Sequence, residues 1–255
     1  MNKVSIIMPS YNSEKFIRDT IDSVIAQTYL NWELLVVDDC STDSTVEIVN
    51  EYAAKDSRVK VCVLETNQGA AVARNKALEL SSGRFIAYLD SDDLWKNNKL
   101  EIQVDFMIKN NIAFSCTDYD KIEENGESLN KIIELPNKID YALFLRNTII
   151  QTVGVLVDTE HVSRDVLVMP NIRRRQDAAT WCQILKAGFD CYRVPFCLAT
   201  YRVVSNSLSS NKWKAIQGTW YLYREIEKLN FFYAVYCFIG YAFNAVKKRI
   251  YNKKK

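Results

Sequence analysis

The stretch Arg84–Asp93, RFIAYLDSDD, decides how the chain is read. Phe85 to Leu89 is a short apolar run with an aromatic and a β-branched residue, the composition of a strand covered on both faces. It stops at three carboxylates, Asp90, Asp92 and Asp93, with Ser91 between the first two. Stability gives no reason to crowd three acids at the end of a buried strand. Their repulsion calls for positive charge, and a divalent cation is the usual source. Asp-x-Asp at a strand-end turn puts two carboxylates close enough to share one hard metal, and open α/β sheets bind ligands at the carboxyl ends of their strands. Asp and Ser are also ordinary turn residues, so a solvated turn is the competing reading.

Upstream, the chain alternates strand and helix. Val4 to Met8 reads as a buried strand stopped by Pro9, with Ser10, Tyr11 and Asn12 as the loop and a helix from about Glu14 to Gln27. Trp32 to Val37 is a second strand, and it too ends in acids, Asp38 and Asp39. Ser41 to Ser44 supply cap chemistry for the next helix, Val59 to Leu64 is a third strand, and Asn67-Gln68-Gly69 leads into a helix over Ala70 to Leu80 that carries Arg74 and Asn75. This order with short links predicts a parallel sheet with right-handed crossovers. Tyr11, Asp39 and Asp90 to Asp93 then stand at three strand ends and could converge on one crevice.

Downstream, the spacing predicts a helix over Leu94 to Asn110, and near residue 113 the pattern changes to mixed strands and loops. Ala113 to Ile122 reads as a strand, turning at Glu124-Asn125-Gly126 into Leu129 to Leu135. Thr152 to Val157 is a further strand and Ala178 to Lys186 a helix ended by Gly188. Tyr192 to Val203 is strand-like, with Pro195 marking an edge or a bend. Lys212 to Leu229 reads as one long helix. No linker-like composition separates the parts, so 1–112, 113–211 and 212–255 are read as segments of one structure.

Composition narrows the function. A content of 48% hydrophobic and 25% charged residues over 255 positions gives ample core, while a net charge of +2 supplies no field for nucleic acid. The seven cysteines are odd in number and form no C-x-x-C pair, which points to reduced core thiols, and the short N-terminal apolar run is unlike a signal peptide; a cytoplasmic location is expected. The seven glycines make neither a dinucleotide fingerprint nor a P-loop. Phosphates would need a metal or basic side chains, and Arg74 suits that task, although a solvated helix residue is equally ordinary. Asp39 can accept from a base N–H and Tyr11 offers a face for stacking. In IRRRQDAATW, Asp177 lies near a helix start behind Arg173, Arg174 and Arg175; it is either a cap or the general base that a metal-diphosphate site lacks. His161, the single histidine, has no assigned role, which removes most support for triad or Cys–His schemes.

Four motifs in order, VSIIMPSYN, ELLVVDDCSTDST, NQGAAVARN and GRFIAYLDSDDLW, resemble the nucleotide-sugar domain of family 2 glycosyltransferases over about residues 3–120, and RRRQDAATW and YRVVSNSLSSN resemble the acceptor-half signatures. The chain is especially similar to bacterial transferases building teichuronic acid, capsule or O-antigen. The resemblance implies a GT-A fold: a Rossmann-like, mostly parallel α/β sheet flanked by helices, with a C-terminal helical extension. Residues 1–112 become the nucleotide-sugar half, 113–211 the acceptor half. It further implies a metal-dependent (Mn²⁺ or Mg²⁺), inverting enzyme with a nucleotide-sugar donor, often UDP-linked. Pro9 and Tyr11 then border the base, Asp39 pairs with the uracil, and Arg74 lies by the nucleotide. Asp90 and Asp92 form the Asp-x-Asp pair, Asp92 as direct metal ligand and Asp90 nearer the ribose. Asp177 matches the base of a Glu-Asp motif, with Gln176 in place of the usual Glu. Arg202 falls in a segment resembling a loop over the diphosphate.

Leu229 to Val246 is free of charge and is followed by Lys247, Lys248 and Arg249. That is marginal for a membrane span, so a helix lying on the inner face of an anionic membrane is expected, beside a lipid-linked or polysaccharide acceptor; packing on the core or a partner is the alternative. Two other functions compete. A sugar-phosphate nucleotidyltransferase needs a Gly-rich basic loop after the first strand, which MPSYNSEKF lacks. A receiver-like signalling module needs its acid pair after the first strand, and here the pair follows the second.

Overall fold

The computed structural model describes residues 2–204 and 212–252. Four parallel strands begin the sheet: β1 (Val4–Ser10), β2 (Trp32–Asp38), β3 (Val59–Val63) and β4 (Phe85–Tyr88), in spatial order β3-β2-β1-β4. They are linked by α1 (Ile17–Ile25), α2 (Thr45–Ala53) and α3 (Ala70–Leu80). β1, β2 and β4 are buried throughout, in keeping with their largely apolar runs. The order reverses at β1, so the ends of β1 and β4 open a crevice.

Pro9 does not stop β1, as the sequence suggests; it pairs in register with Val37. Along the strand Ile7 faces β4 and Ser10 faces β2 through their carbonyls, so the missing N–H of Pro9 faces the β4 side. Pairing to β4 has ended by then, at Ile7–Tyr88, and no ladder bond is lost.

The remaining strands extend the same sheet. They are β5 (Leu94–Trp95), β6 (Phe114–Glu123), β7 (Ser128–Ile133), β8 (Lys138–Ile139), β9 (Val155–Asp158) and β10 (Cys191–Val203), and the path continues β4-β9-β6-β10-β5. β9 runs antiparallel to both β4 and β6, while β10 is parallel to β6. Three expectations change here. Leu94 and Trp95 are not helical: they pair with Thr200 and Ala199, the Trp95 indole donates to the Val153 carbonyl at 2.8 Å, and α4 starts only at Lys99 and ends at Asn110. Thr152–Gly154 is a 3₁₀ turn that precedes β9. β10 has partners on both sides and is no edge; Pro195 sits where its register to β6 shifts, between Val194 and Cys197.

Helices α5 (Tyr141–Asn147), α6 (Gln176–Lys186), α7 (Lys212–Tyr221) and α8 (Phe231–Asn252) complete the chain. The long helix expected over Lys212 to Leu229 is interrupted by a π-turn at Leu222–Ile226 and by Lys228 at φ 51°. All seven cysteines are free, and four of them are buried.

Candidate active site

The cavity opens at the carboxyl ends of β1, β2 and β4, with a volume of about 750 Å³. Pro9, Tyr11, Asp39, Arg74, Asp90, Asp92 and Asp177 all line it. Residues from five separated stretches therefore meet in one place.

Each is held by local chemistry. Asp38 is fixed beneath the floor, where Ser10 Oγ donates to its Oδ2 at 2.8 Å and the Ser41 amide to its Oδ1 at 2.7 Å. Asp39 receives the amides of Gln68 and Gly69, both at 2.7 Å, one on each carboxylate oxygen. It thereby ties the end of β2 to the start of α3, and each oxygen keeps a second lone pair for a ligand. Gly69 makes this approach at φ 93°, a conformation that a side chain would oppose. Tyr11 is half exposed on the rim. The Ser91 hydroxyl shares a hydrogen bond of 2.7 Å with Ser13, and the Thr20 hydroxyl donates to the Ser91 carbonyl at 3.0 Å, so the acidic loop is pinned to α1 and the loop before it.

Arg74 is buried in α3, and its Nη2 donates to Asp90 Oδ1 at 2.5 Å. Its Nε and Nη1 have no protein partner. Burial disfavours its charge, but Asp90, and beyond it Asp177, more than offset that. Asp92 has no basic partner at ion-pair distance among the described residues. Burial, together with the neighbouring Asp90, pushes its carboxyl up to about 6. Asp93 is buried and its carboxyl is held well above the usual carboxylate range, again by burial first and then by Asp92 and Asp90; its Oδ1 accepts the Arg202 amide at 2.9 Å, which makes it part of the scaffold.

Arg202 stands apart from the other site candidates. It is 4% exposed and lies outside the cavity lining. Its Nε donates to the Asp92 carbonyl at 2.9 Å, its Nη2 lies 3.2 Å from Asp19, and its guanidinium sits 5.0 Å from the centre of the Phe16 ring. It braces the acidic loop from behind. The rest of YRVVSNSLSSN, residues 205–211, lies outside the described residues. His161 pairs with Asp158, away from the cavity.

Among the described residues no group of three or more His, Cys, Asp or Glu converges. The two hard carboxylates of Asp90 and Asp92 nonetheless fit Mg²⁺ or Mn²⁺, ions commonly held by one or two carboxylates plus substrate phosphates. Asp92, with no ion-pair partner among the described residues, is the freer of the two.

Asp177 sits in the first turn of α6, and the Thr152 hydroxyl approaches its Oδ2 at 3.4 Å. Sequence patterns did not single out Thr152 or the neighbouring Gln151, because the turn that presents them reads as a strand. Tyr241 of α8 also reaches the cavity wall, from a segment whose composition suggested only membrane or core packing.

The family model of glycosyl transferase family 2 matches residues 5–167. TuaG of Bacillus subtilis, named provisionally as a teichuronic acid biosynthesis glycosyltransferase, is 52% identical over 247 residues, covering 97% of each chain. The Escherichia coli UDP-Glc:alpha-D-GlcNAc-diphosphoundecaprenol beta-1,3-glucosyltransferase WfgD is 40% identical, covering 98% of this chain and 96% of that one. Among solved structures, residues 1–349 of S. aureus TarS with UDP-GlcNAc align with a TM-score of 0.71 at 20% identity, over 89% of this chain and 68% of that longer one. The Pyrobaculum calidifontis mannosyltransferase PcManGT with GDP-Man and Mn²⁺ aligns at 0.65 and 20% identity, over 85% and 61%. With the GT-A architecture, the matched motifs and the cavity they line in agreement, the chain belongs to glycosyl transferase family 2.

Proposed function

We propose that the chain is an inverting, metal-dependent hexosyl- or N-acetylhexosaminyltransferase that uses a UDP-sugar and extends a lipid-linked bacterial surface polysaccharide. One observation carries this reading: the strand-end acids, Arg74 and Asp177 line one cavity, though they come from stretches up to 168 residues apart (Pro9 to Asp177). The names of TuaG and WfgD support the pathway and the acceptor class.

In this reading Pro9 and Tyr11 border the base and Asp39 accepts from its N–H. Asp92 and Asp90 would hold the divalent cation, whose chemistry is to offset charge on the departing diphosphate. Arg74 has two unspent N–H donors for the same anion. Asp177 takes the proton of an acceptor hydroxyl as its oxygen bonds to the anomeric carbon, and the bond from that carbon to the diphosphate breaks. One displacement inverts the configuration.

α8 presents Phe232, Tyr236, Ile239 and Phe243 on one face, each more than half exposed, while Ala234 and Cys237 are buried on the other. No helix among the described residues is long and apolar enough to cross a membrane. An exposed apolar stripe followed in sequence by Lys247, Lys248 and Arg249 suits the surface of an anionic bilayer.

The test is a panel of nucleotide sugars with Mn²⁺ or Mg²⁺, scored for released nucleoside diphosphate and for sugar on the acceptor. Release of pyrophosphate instead, or release indifferent to chelation of the metal, would overturn the reading.

A further inference from the structure

The run Arg173-Arg174-Arg175 borders the same cavity immediately before Asp177, and neither the donor nor the metal reading uses it. Six of the thirteen arginines, Arg18, Arg58, Arg74, Arg84, Arg193 and Arg202, have a carboxylate within 3.2 Å. Arg173 and Arg175 have none among the described residues. Two cations left without counter-charge beside a catalytic carboxylate favour an anionic ligand.

The backbone is arranged to present them. Arg175 adopts φ 64°, a left-handed conformation that is costly for a side chain of this size and persists where surrounding contacts impose it. Those contacts come from the C-terminal helices. Arg175 Nη2 lies 3.0 Å from the Tyr241 hydroxyl, and its guanidinium is 5.8 Å from that ring's centre. α7 closes in at Gly218, where a Cβ would meet Arg175 Cγ at 3.4 Å and Arg174 Cβ at 3.6 Å. The same helix that holds Arg175 also carries the exposed stripe of Phe232, Tyr236, Ile239 and Phe243. Tyr241 lies on the side of α8 opposite that stripe, with the buried Ala234 and Cys237.

We propose that Arg173 and Arg175 bind the phosphates of the acceptor, so that the acceptor is a glycosyl diphosphate. This rests on the glycosyl-transfer reading above and extends it to the acceptor's charged group. The donor diphosphate belongs to Arg74 and the Asp-x-Asp pair. The second anion lies on the Asp177 side, where the acceptor hydroxyl must be. Guanidinium groups suit phosphate because they match its oxygens in pairs.

Two acceptors test this: N-acetylglucosamine joined to an undecyl chain through a diphosphate, and the same sugar joined to the same chain directly. In wild-type protein kcat/KM should be about tenfold or more higher for the diphosphate acceptor. In the double variant Arg173→Gln, Arg175→Gln that ratio should fall close to one through KM, with the affinity for UDP-sugar unchanged. Arg173→Gln alone, at an exposed position, should lower the ratio part of the way and keeps the test open should the double variant fold poorly. An unchanged ratio in the variants overturns the proposal, as does an equal loss of donor affinity. Inorganic diphosphate should inhibit weakly; inhibition as strong as that by the lipid-linked diphosphate would mark a site for free phosphate and overturn it too. UDP release by the wild type without preference for the diphosphate acceptor defeats this inference alone, whereas no UDP release from any UDP-sugar defeats the glycosyl-transfer reading itself.

Discussion

Arg74 Nη2 and Asp90 Oδ1 meet at 2.5 Å, and the other two donor groups of that guanidinium, Nε and Nη1, are buried without a partner. A buried N–H left unpaired is costly, so these two groups favour a ligand that accepts from them. Arg74→Lys keeps the charge but loses the planar fork. UDP-sugar affinity by calorimetry should fall about 10- to 100-fold, or roughly 1.4–2.8 kcal/mol. Unchanged affinity would place the nucleotide elsewhere.

Asp92 links function to stability. Burial and Asp90 hold its pKa near 6 against an ordinary 3.8. The folded state thus favours the protonated acid, so the associated stability is full below the unfolded pKa and is lost as pH rises through about 6. Asp92→Asn should be more stable than wild type at pH 7.5 by roughly 1–3 kcal/mol, a gain that vanishes near pH 4. Thermal melts at both pH values check it. Mn²⁺ should raise the melting temperature of the wild type but not of the variant, and an equal rise in both would remove Asp92 from the metal site.

Gly83 carries the turn into β4. A Cβ there would lie 2.7 Å from both the Lys3 carbonyl oxygen and the Ser5 amide nitrogen, and these backbone atoms cannot step aside without moving β1. Gly83→Ala should cost about 2–3 kcal/mol in urea unfolding. A loss below about 0.5 kcal/mol would show the turn to be more pliant than this contact allows.

The first half of the fold was legible because β1, β2 and β4 are buried on both faces and therefore read as largely apolar runs, and because polar residues cluster at their carboxyl ends. That same punctuation marked Tyr11, Asp39 and Asp90 to Asp93. Other features depend on partners distant in sequence. Nothing local shows that Leu94 and Trp95 pair with β10 instead of opening α4, or that Pro9 continues β1 because its neighbour on one side has already ended. The role of Arg202 was hidden for the same reason: its contacts are Asp19, Asp92 and Glu124, reached across the fold. Asp93 resembled Asp90 and Asp92 in sequence, and only its burial separates it from them. The arginine run before Asp177 was visible, but its link to Tyr241 spans 66 residues and follows no motif.

The central claim is that Asp177 deprotonates the acceptor while the strand-end acids and Arg74 hold the donor. Asp177→Asn tests it directly, with sugar transfer to acceptor and UDP-sugar affinity measured on the same preparation. Transfer should drop by about 10³-fold or more while the donor Kd stays within about twofold of wild type. Transfer that retains more than about a tenth of the wild-type rate, with the donor still bound, would contradict the account.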